Sequence, residues 1–336
     1  MKRYLNITVL LLAGALALLQ GCKKLPDGFI SPIIRYEEDP ILIQKGRVKI
    51  SSALNFDGSS RPATVTLLHI YDKATGKNVD ELFSKQMQLS IWTGYYIPSI
   101  DTTLAMVNAK KKDTLVPPIV INQYSGQLEA NVGTADLPSG DYTFDLEIKN
   151  GAGTRTYPKI GNFTLIDAPA YESPDAPYIR MSKVGDESTG AANLTGASEL
   201  EIKVDYAGAT TPNKIILKVV DKNDIPFNPT SGEVARRPNT GLNPVPPFLQ
   251  TLQDYSFKTT LFNDRMEFDY VTTPFPLASL GNGYNIYYRI PAQYLKYSDQ
   301  VKYPAGQWNA NPRFSFRAYR PGTFTITFKM LKFTRS

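Results

Sequence analysis

Apolar and polar residues alternate with a period of two along most of this chain, and that alternation limits what it can fold into. In TFTITFKM, Phe324, Ile326, Phe328 and Met330 fall on one side, with Thr323, Thr325, Thr327 and Lys329 on the other. A strand sends successive side chains to opposite faces, so such a segment buries one face and wets the other. GYNIYYRI likewise groups Tyr284, Ile286, Tyr288 and Ile290 and turns Asn285, Tyr287 and Arg289 the opposite way; PRFSFRAY sets Phe314, Phe316 and Ala318 against Arg313, Ser315, Arg317 and Tyr319. ATVTLLHIYDKATGKNV (63–79, turning at Asp72 to Gly76), MQLSIW (87–92), SELEIKVDY (198–206) and NKIILKVVDKND (213–224) read as further strands bounded by turn residues. Sustained helical periodicity is nearly absent, so the expectation is an all-β protein.

The most diagnostic stretch is LPSGDYTFDLEI, where Pro138-Ser139-Gly140 turns the chain and Tyr142 opens a strand with Phe144, Leu146 and Ile148 on alternate positions. It resembles the tyrosine corner of immunoglobulin-like sandwiches, in which the hydroxyl of such a Tyr returns to the backbone just upstream. Asn150-Gly151-Ala152-Gly153 then makes a hairpin turn into a last strand ending near Ile166. DAPAYESPDAPYI (167–179) has the composition of a linker, and a second β unit follows. The 336 residues suit two domains. The expected organisation is a leader over 1–21, a tether over 22–36, an immunoglobulin-like β-sandwich over 37–168, a linker over 169–178 and a second β-sandwich domain over 179–336. The stretch 225–247, with Pro226, Pro229, Pro238, Pro244, Pro246 and Pro247, reads either as a binding loop or as a structureless one.

The N-terminus sets the compartment. Lys2 and Arg3 precede an apolar run from Leu5 to Leu19, and Leu19-Gln20-Gly21-Cys22 closes it. A basic start, a short apolar core and a small residue at the cut site form a secretory signal, too short for an ordinary spanning helix. The last four residues resemble the bacterial lipobox, whose cysteine is lipidated. Cys22 is the chain's only cysteine, so after lipidation no thiol remains for nucleophilic attack, metal binding or a disulfide. Bacterial lipoproteins carry more than one acyl chain, enough for stable anchoring. The net charge of +6 is mild, and Lys110-Lys111-Lys112 followed by Asp113 reads as a solvated loop, so no nucleic-acid partner is expected.

Catalytic arrangements come up short. A Ser/His/Asp relay or a histidine zinc site would need more than His69, the only histidine, which lies in the strand-like VTLLHIYD. Asp264, Glu267 and Asp269 are the nearest approach to a glycosidase carboxylate pair. Gly151-Ala152-Gly153, Gly76-Lys77 and Asp221-Lys222-Asn223-Asp224 each lack the remaining residues of a nucleotide or calcium loop. The expectation is a protein that is not an enzyme and uses no cofactor or metal.

CKKLPDGF, ILIQKGRVKISSALNFDGSSRPATVTLLHIYD and the span from INQYSGQLEANV to LPSGDYTFDLEIKNGAG together resemble an uncharacterised lipoprotein family of Bacteroidota, most strongly over residues 22–167. Members are commonly encoded beside SusC/SusD-type uptake systems. The resemblance implies an outer-membrane, lipid-anchored nutrient-capture accessory, similar in placement to SusE and SusF, with a SusC/SusD-type transporter as a partner. It transfers no site residue. Lys23 and Lys24 stand where related surface lipoproteins often carry acidic residues, which leaves both the cell surface and the periplasmic face open.

Two classes of function follow. One is non-catalytic glycan binding, in which flat rings stack on sugar C–H faces and polar side chains take the hydroxyls. The other is a structural or protein-interaction lipoprotein with no small-molecule site. For the first, Trp308 in the loop AGQWNANP is the leading residue, with Asn309 and Asn311 as hydroxyl partners, Tyr287 as a second ring, and Arg317 and Tyr319 on the neighbouring outward face. The alternative for Trp308 is to fold back and plug the open end of the sandwich.

Overall fold

The computed structural model describes residues 28–97, 100–239, 247–279 and 282–336, so Cys22 and the leader lie outside the described residues. The chain divides into two units, one of residues 1–89 and 114–167, the other of residues 90–113 and 168–336. No helix among the described residues is long and apolar enough to cross a membrane.

The strands of the first part of the chain are β1 (Ile41–Gln44), β2 (Lys49–Ile50), β3 (Ala63–Asp72), β4 (Met87–Trp92), β5 (Lys111–Val116), β6 (Ile119–Ile121), β7 (Leu128–Ala130), β8 (Gly140–Asn150) and β9 (Gly153–Ile166). One sheet of the first unit runs β1-β9-β8-β3 and the other β2-β7-β6, while β4 and β5 pair separately. The first strand lies parallel to β9, and the other pairs of these two sheets are antiparallel. This is the strand arrangement of an immunoglobulin-like sandwich, with β3, β8 and β9 on one side and β2, β7 and β6 facing them. Ile41, Ile43, Val65, Phe144, Leu146 and Phe163 from one sheet and Ile119, Leu128 and Ala130 from the other share one buried core.

The tyrosine corner is present. Tyr142 is buried near the start of β8, and its hydroxyl donates to the Pro138 carbonyl at 3.0 Å. Its ring stacks on Phe163 and takes Phe83 edge-on. Across the hairpin, Ala152 N–H donates to Asn150 Oδ1, which shapes the expected turn. Gly161 on β9 has to be glycine, since a Cβ there would lie 2.5 Å from Cζ of Phe144.

The second unit contains β10 (Tyr171–Glu172), β11 (Tyr178–Lys183), β12 (Ala192–Leu194), β13 (Leu200–Tyr206), β14 (Lys214–Val220), β15 (Ala235–Arg236), β16 (Lys258–Leu261), β17 (Met266–Asp269), β18 (Asn285–Arg289), β19 (Leu295–Tyr297), β20 (Trp308–Ser315), β21 (Arg317–Ala318), β22 (Thr323–Met330) and β23 (Phe333–Arg335). Its two five-stranded sheets, β12-β11-β20-β18-β15 and β13-β22-β14-β17-β16, close on one core. From the first sheet come Met181, Ile286, Tyr288 and Phe314; from the second come Ile215, Leu217, Phe268 and the expected face of β22.

Two readings of the sequence need correction. Residues 169–178 are not a free linker but part of the second unit: β10 pairs with β21, and Tyr171 stacks on Phe316 at 5.7 Å. Residues 90–113, expected inside the first domain, group instead with the second unit. The proline-rich stretch is largely folded where it is described: Phe227 is fully buried, Pro229–Ser231 form a 3-10 turn, and β15 joins the sheet. Residues 240–246 lie outside the described residues.

Removing the Tyr142 hydroxyl leaves the Pro138 carbonyl without its partner, so Tyr142→Phe is expected to cost about 1–3 kcal/mol in urea unfolding. Tyr206 is no neutral comparison, because its hydroxyl donates to the Pro321 carbonyl at 2.7 Å. Tyr124, which is exposed, serves instead, and Tyr124→Phe should leave the midpoint unchanged. Equal curves for the two variants would remove the corner from the stability of the fold.

Candidate functional site

The residues expected to gather around Trp308 do not converge. Trp308 opens β20 opposite Lys183 instead of standing in a loop, and its ring packs edge-on against Tyr303 at 5.0 Å. With Met181, Leu295 and Tyr297 it fills the end of the sandwich, the plugging role held as its alternative. Asn309 is buried, and its Oδ1 accepts from the Ala292 N–H at 3.1 Å. Tyr287, expected to face outward, is only 5 % exposed; its hydroxyl accepts from Asn282 Nδ2, and its N–H donates to the Gln250 carbonyl. Asn285 on the same face is buried too, because the segment around Gln250 covers that part of β18.

Arg317 lies near the rings of Tyr284 and Tyr319, at 4.3 and 5.3 Å from their centroids, and donates to the Pro276 and Leu277 carbonyls. The Tyr319 hydroxyl donates to Glu172 Oε2 at 3.1 Å. Trp308 and Asn309 start β20, whereas Arg317 and Tyr319 come after its end. At roughly 3.3 Å per residue the two groups stand about 23 Å or more apart. They cannot line one sugar site.

A different concavity is better formed. Within the second unit, a groove of about 660 Å³ opens between β13 and the segment 171–178. Leu200, Ile202, Val204 and Phe314 make its apolar floor, and Tyr171, Tyr178, Ser173, Asp175 and Thr195 stand around it. That size is within the range of ordinary ligand clefts. Ser315 fixes the rim: Asp175 N–H donates to Ser315 Oγ at 2.8 Å, and the same hydroxyl donates to the Asp175 carbonyl at 3.1 Å. Arg313 braces it, lying 4.9 Å from the Tyr178 ring centroid, donating to the Ala176 carbonyl at 2.9 Å and approaching Asp175 Oδ2 at 3.6 Å. Tyr171 and Tyr178, two rings inside an apparent linker, were the sequence signal for this groove.

Asp175 is the one carboxylate among the described residues lining the groove, whereas glycoside hydrolysis ordinarily uses two. The other carboxylates considered are committed elsewhere. Glu267 is 2.6 Å from Lys214 Nζ and 2.8 Å from Arg265 Nε, and Arg265 also holds Asp264 at 2.9 Å. Burial alone would raise the Glu267 carboxyl, but these two cations outweigh it and hold it below the usual carboxylate range. A proton donor for glycoside cleavage needs the opposite shift. His69 Nδ1 is 2.8 Å from Asp80 Oδ2 on the exposed side of β3. Among the described residues, no group of three or more His, Cys, Asp or Glu side chains is placed to hold a metal ion.

No family model matches the chain, and no curated protein matches it. Among solved structures, it is similar to the N-terminal four Ig domains of Dscam1 isoform 4.4, at 10 % identity and a TM-score of 0.19, over 90 % of this chain and 53 % of that one. It is also similar to the C-terminal domain of the AgI/II polypeptide BspA of Streptococcus agalactiae, at 12 % identity and a TM-score of 0.16, over 88 % of this chain and 98 % of that one. The chain thus spans about half the length of that four-domain N-terminal piece. These likenesses are too distant to bear on function, and the fold follows from the strand order and register.

Two outcomes are expected. Trp308→Ala should cost about 2 kcal/mol or more in urea unfolding, somewhat below the 3–5 kcal/mol of a fully buried ring. Glu267, with its folded pKa depressed, stabilises the protein fully above its unfolded value of about 4.3 and loses that contribution as pH falls through the folded value. The acid limb of wild-type stability should therefore be steeper below about pH 4.5 than that of Glu267→Gln, as followed by thermal melts across pH.

Proposed function

We propose that the protein is a non-catalytic capture protein of the cell envelope that binds carbohydrate in the groove of its second unit. The observation that carries this reading is the groove's composition. An apolar floor with two tyrosines and Phe314 suits the C–H faces of sugar rings, and Asp175, Ser173 and Thr195 offer hydroxyl partners at the rim. The lipobox-like Cys22 supports attachment to the outer membrane by lipid, and the family resemblance supports service to a SusC/SusD-type transporter. In this reading the protein is not an enzyme.

One observation favours a second reading, docking to another envelope protein. The segment 90–113 exposes Tyr95 at 90 %, together with Ile91, Ile97, Ile100, Leu104 and Met106. A run of exposed apolar side chains along one segment commonly marks an interaction site.

Calorimetric titration of the mature protein against a polysaccharide panel tests the first reading. Tyr178→Ala should weaken binding about tenfold or more, the scale of one lost aromatic contact of about 1.4 kcal/mol. Trp308→Ala should lower the melting temperature while leaving the affinity of the folded fraction unchanged. If the wild type binds no glycan, capture fails and the docking reading takes its place. For the anchor, Cys22→Ser should move the protein out of the membrane fraction. If that variant stays with outer membranes after a high-salt wash, lipid attachment through Cys22 is refuted.

A further inference from the structure

The outward face of the sheet β12-β11-β20-β18-β15 carries more positive charge than the protein neutralises. Arg180 on β11 lies opposite Asn311 on β20, and the register of β18 against β20 brings Arg289 opposite the same Asn311. The core side of this row is held by Ile179, Met181, Ala310 and Ile290, so Arg180, Asn311 and Arg289 share the far side. Arg237 follows β15, the next strand along. Glu187, from the turn between β11 and β12, is the carboxylate of this group.

The partners can be counted atom by atom. Arg289 donates from Nε to Asn311 Oδ1 at 2.8 Å, and its other end meets Glu187 Oε1 at 2.5 Å. Arg180 makes one long contact, from a terminal nitrogen to the Glu187 backbone carbonyl at 3.4 Å, and its Nε is buried without a partner. Arg237 is 6 % exposed and makes no side-chain hydrogen bond or ion pair among the described residues; its Nε is also buried and unpartnered. Glu187 Oε2 is buried and unpartnered as well, so this carboxylate serves Arg289 and stops there. Asn311 is fully buried and oriented by its own donations to the Arg180 carbonyl and Ser182 Oγ.

Three guanidiniums thus face one carboxylate, and Arg237 registers the deficit. Burial first, then the like charges of Arg180 and Arg289, lower its pKa, and Glu187 only partly opposes them. An unpaired buried charge is among the costlier features a fold can carry. The neighbouring residue shows that the chain can pair an arginine at this edge: Arg236 is gripped by both oxygens of Asp254, at 2.6 and 2.8 Å. Among the described residues, Arg237 has no such acid.

We infer that Arg180, Arg237 and Arg289 form a binding site for an oxyanion (sulfate, phosphate or carboxylate), with Asn311 and Glu187 fixing Arg289. Planar guanidiniums with paired N–H donors match such oxygens, and a partly dehydrated setting strengthens the contact. Tyr178 links this site to the groove, since it lines the groove and lies two positions before Arg180 on the same face of β11. The oxyanion site stands on the arginine geometry alone and does not require that the groove hold sugar.

Calorimetry with inorganic sulfate at constant ionic strength tests it on the mature protein, with Arg237→Met and Arg180→Gln as variants. Saturable binding by the wild type, weakened at least tenfold in both variants, is the expected result. Arg237→Met should also melt no lower than the wild type in anion-free buffer, because it removes a charge that has no partner. Absence of saturable binding by the wild type, equal binding by all three proteins, or a melt of Arg237→Met several degrees below wild type would each overturn the site. The source is read in a second arm. A sulfated oligosaccharide that displaces sulfate, where neutral dextran oligosaccharide does not, identifies an acidic glycan; displacement by inorganic phosphate alone identifies a free anion. Failure of neutral glycans to bind, with sulfate binding intact, would count against sugar capture in the groove and leave the oxyanion site standing.

Discussion

The second unit depends on the packed face of β22. Phe324, Ile326, Phe328 and Met330 are all fully buried, and the strand carrying them pairs antiparallel with β13 and parallel with β14. A shift of one residue in either pairing would turn all four side chains to solvent, so this face sets the register of its sheet as well as filling the core. The facing sheet must then present Met181, Ile286, Tyr288 and Phe314 at matching heights. With a single cysteine in the chain, no disulfide can substitute for that fit.

The period-two pattern made the strands legible, because one buried face and one wet face leave a direct mark on composition. Tyr142 was legible for a related reason, since a corner needs a turn, a ring and a hydroxyl within a few residues. What could not be read was the coverage of the outer faces. Asn285 and Tyr287 alternate correctly and were expected to be wet, but a segment around Gln250, more than thirty residues earlier in the chain, lies over them. Pro and Ala around Tyr171 concealed a strand whose partner, β21, lies more than a hundred residues later. Composition reports local preference, and these placements are tertiary.

The same limit applied to the sites. A large ring beside a turn is costly if nothing covers it, which makes Trp308 conspicuous in the sequence, but Tyr303 covers it. Arg180, Arg237 and Arg289 are scattered in sequence, and only strand order brings them together. Tyr178, which lines the groove, stands two positions before Arg180 on β11, so the groove and the arginine row meet on one strand.

The pairing of β22 has a consequence for biogenesis. Strands β13 and β14 are complete by Val220, but the strand that belongs between them begins at Thr323. During synthesis, about a hundred further residues must emerge before those two edges are joined. Until then, each presents unpaired backbone and an apolar face that neighbouring chains can pair with. The sheet that closes the core of the second unit is therefore completed only near the end of the chain.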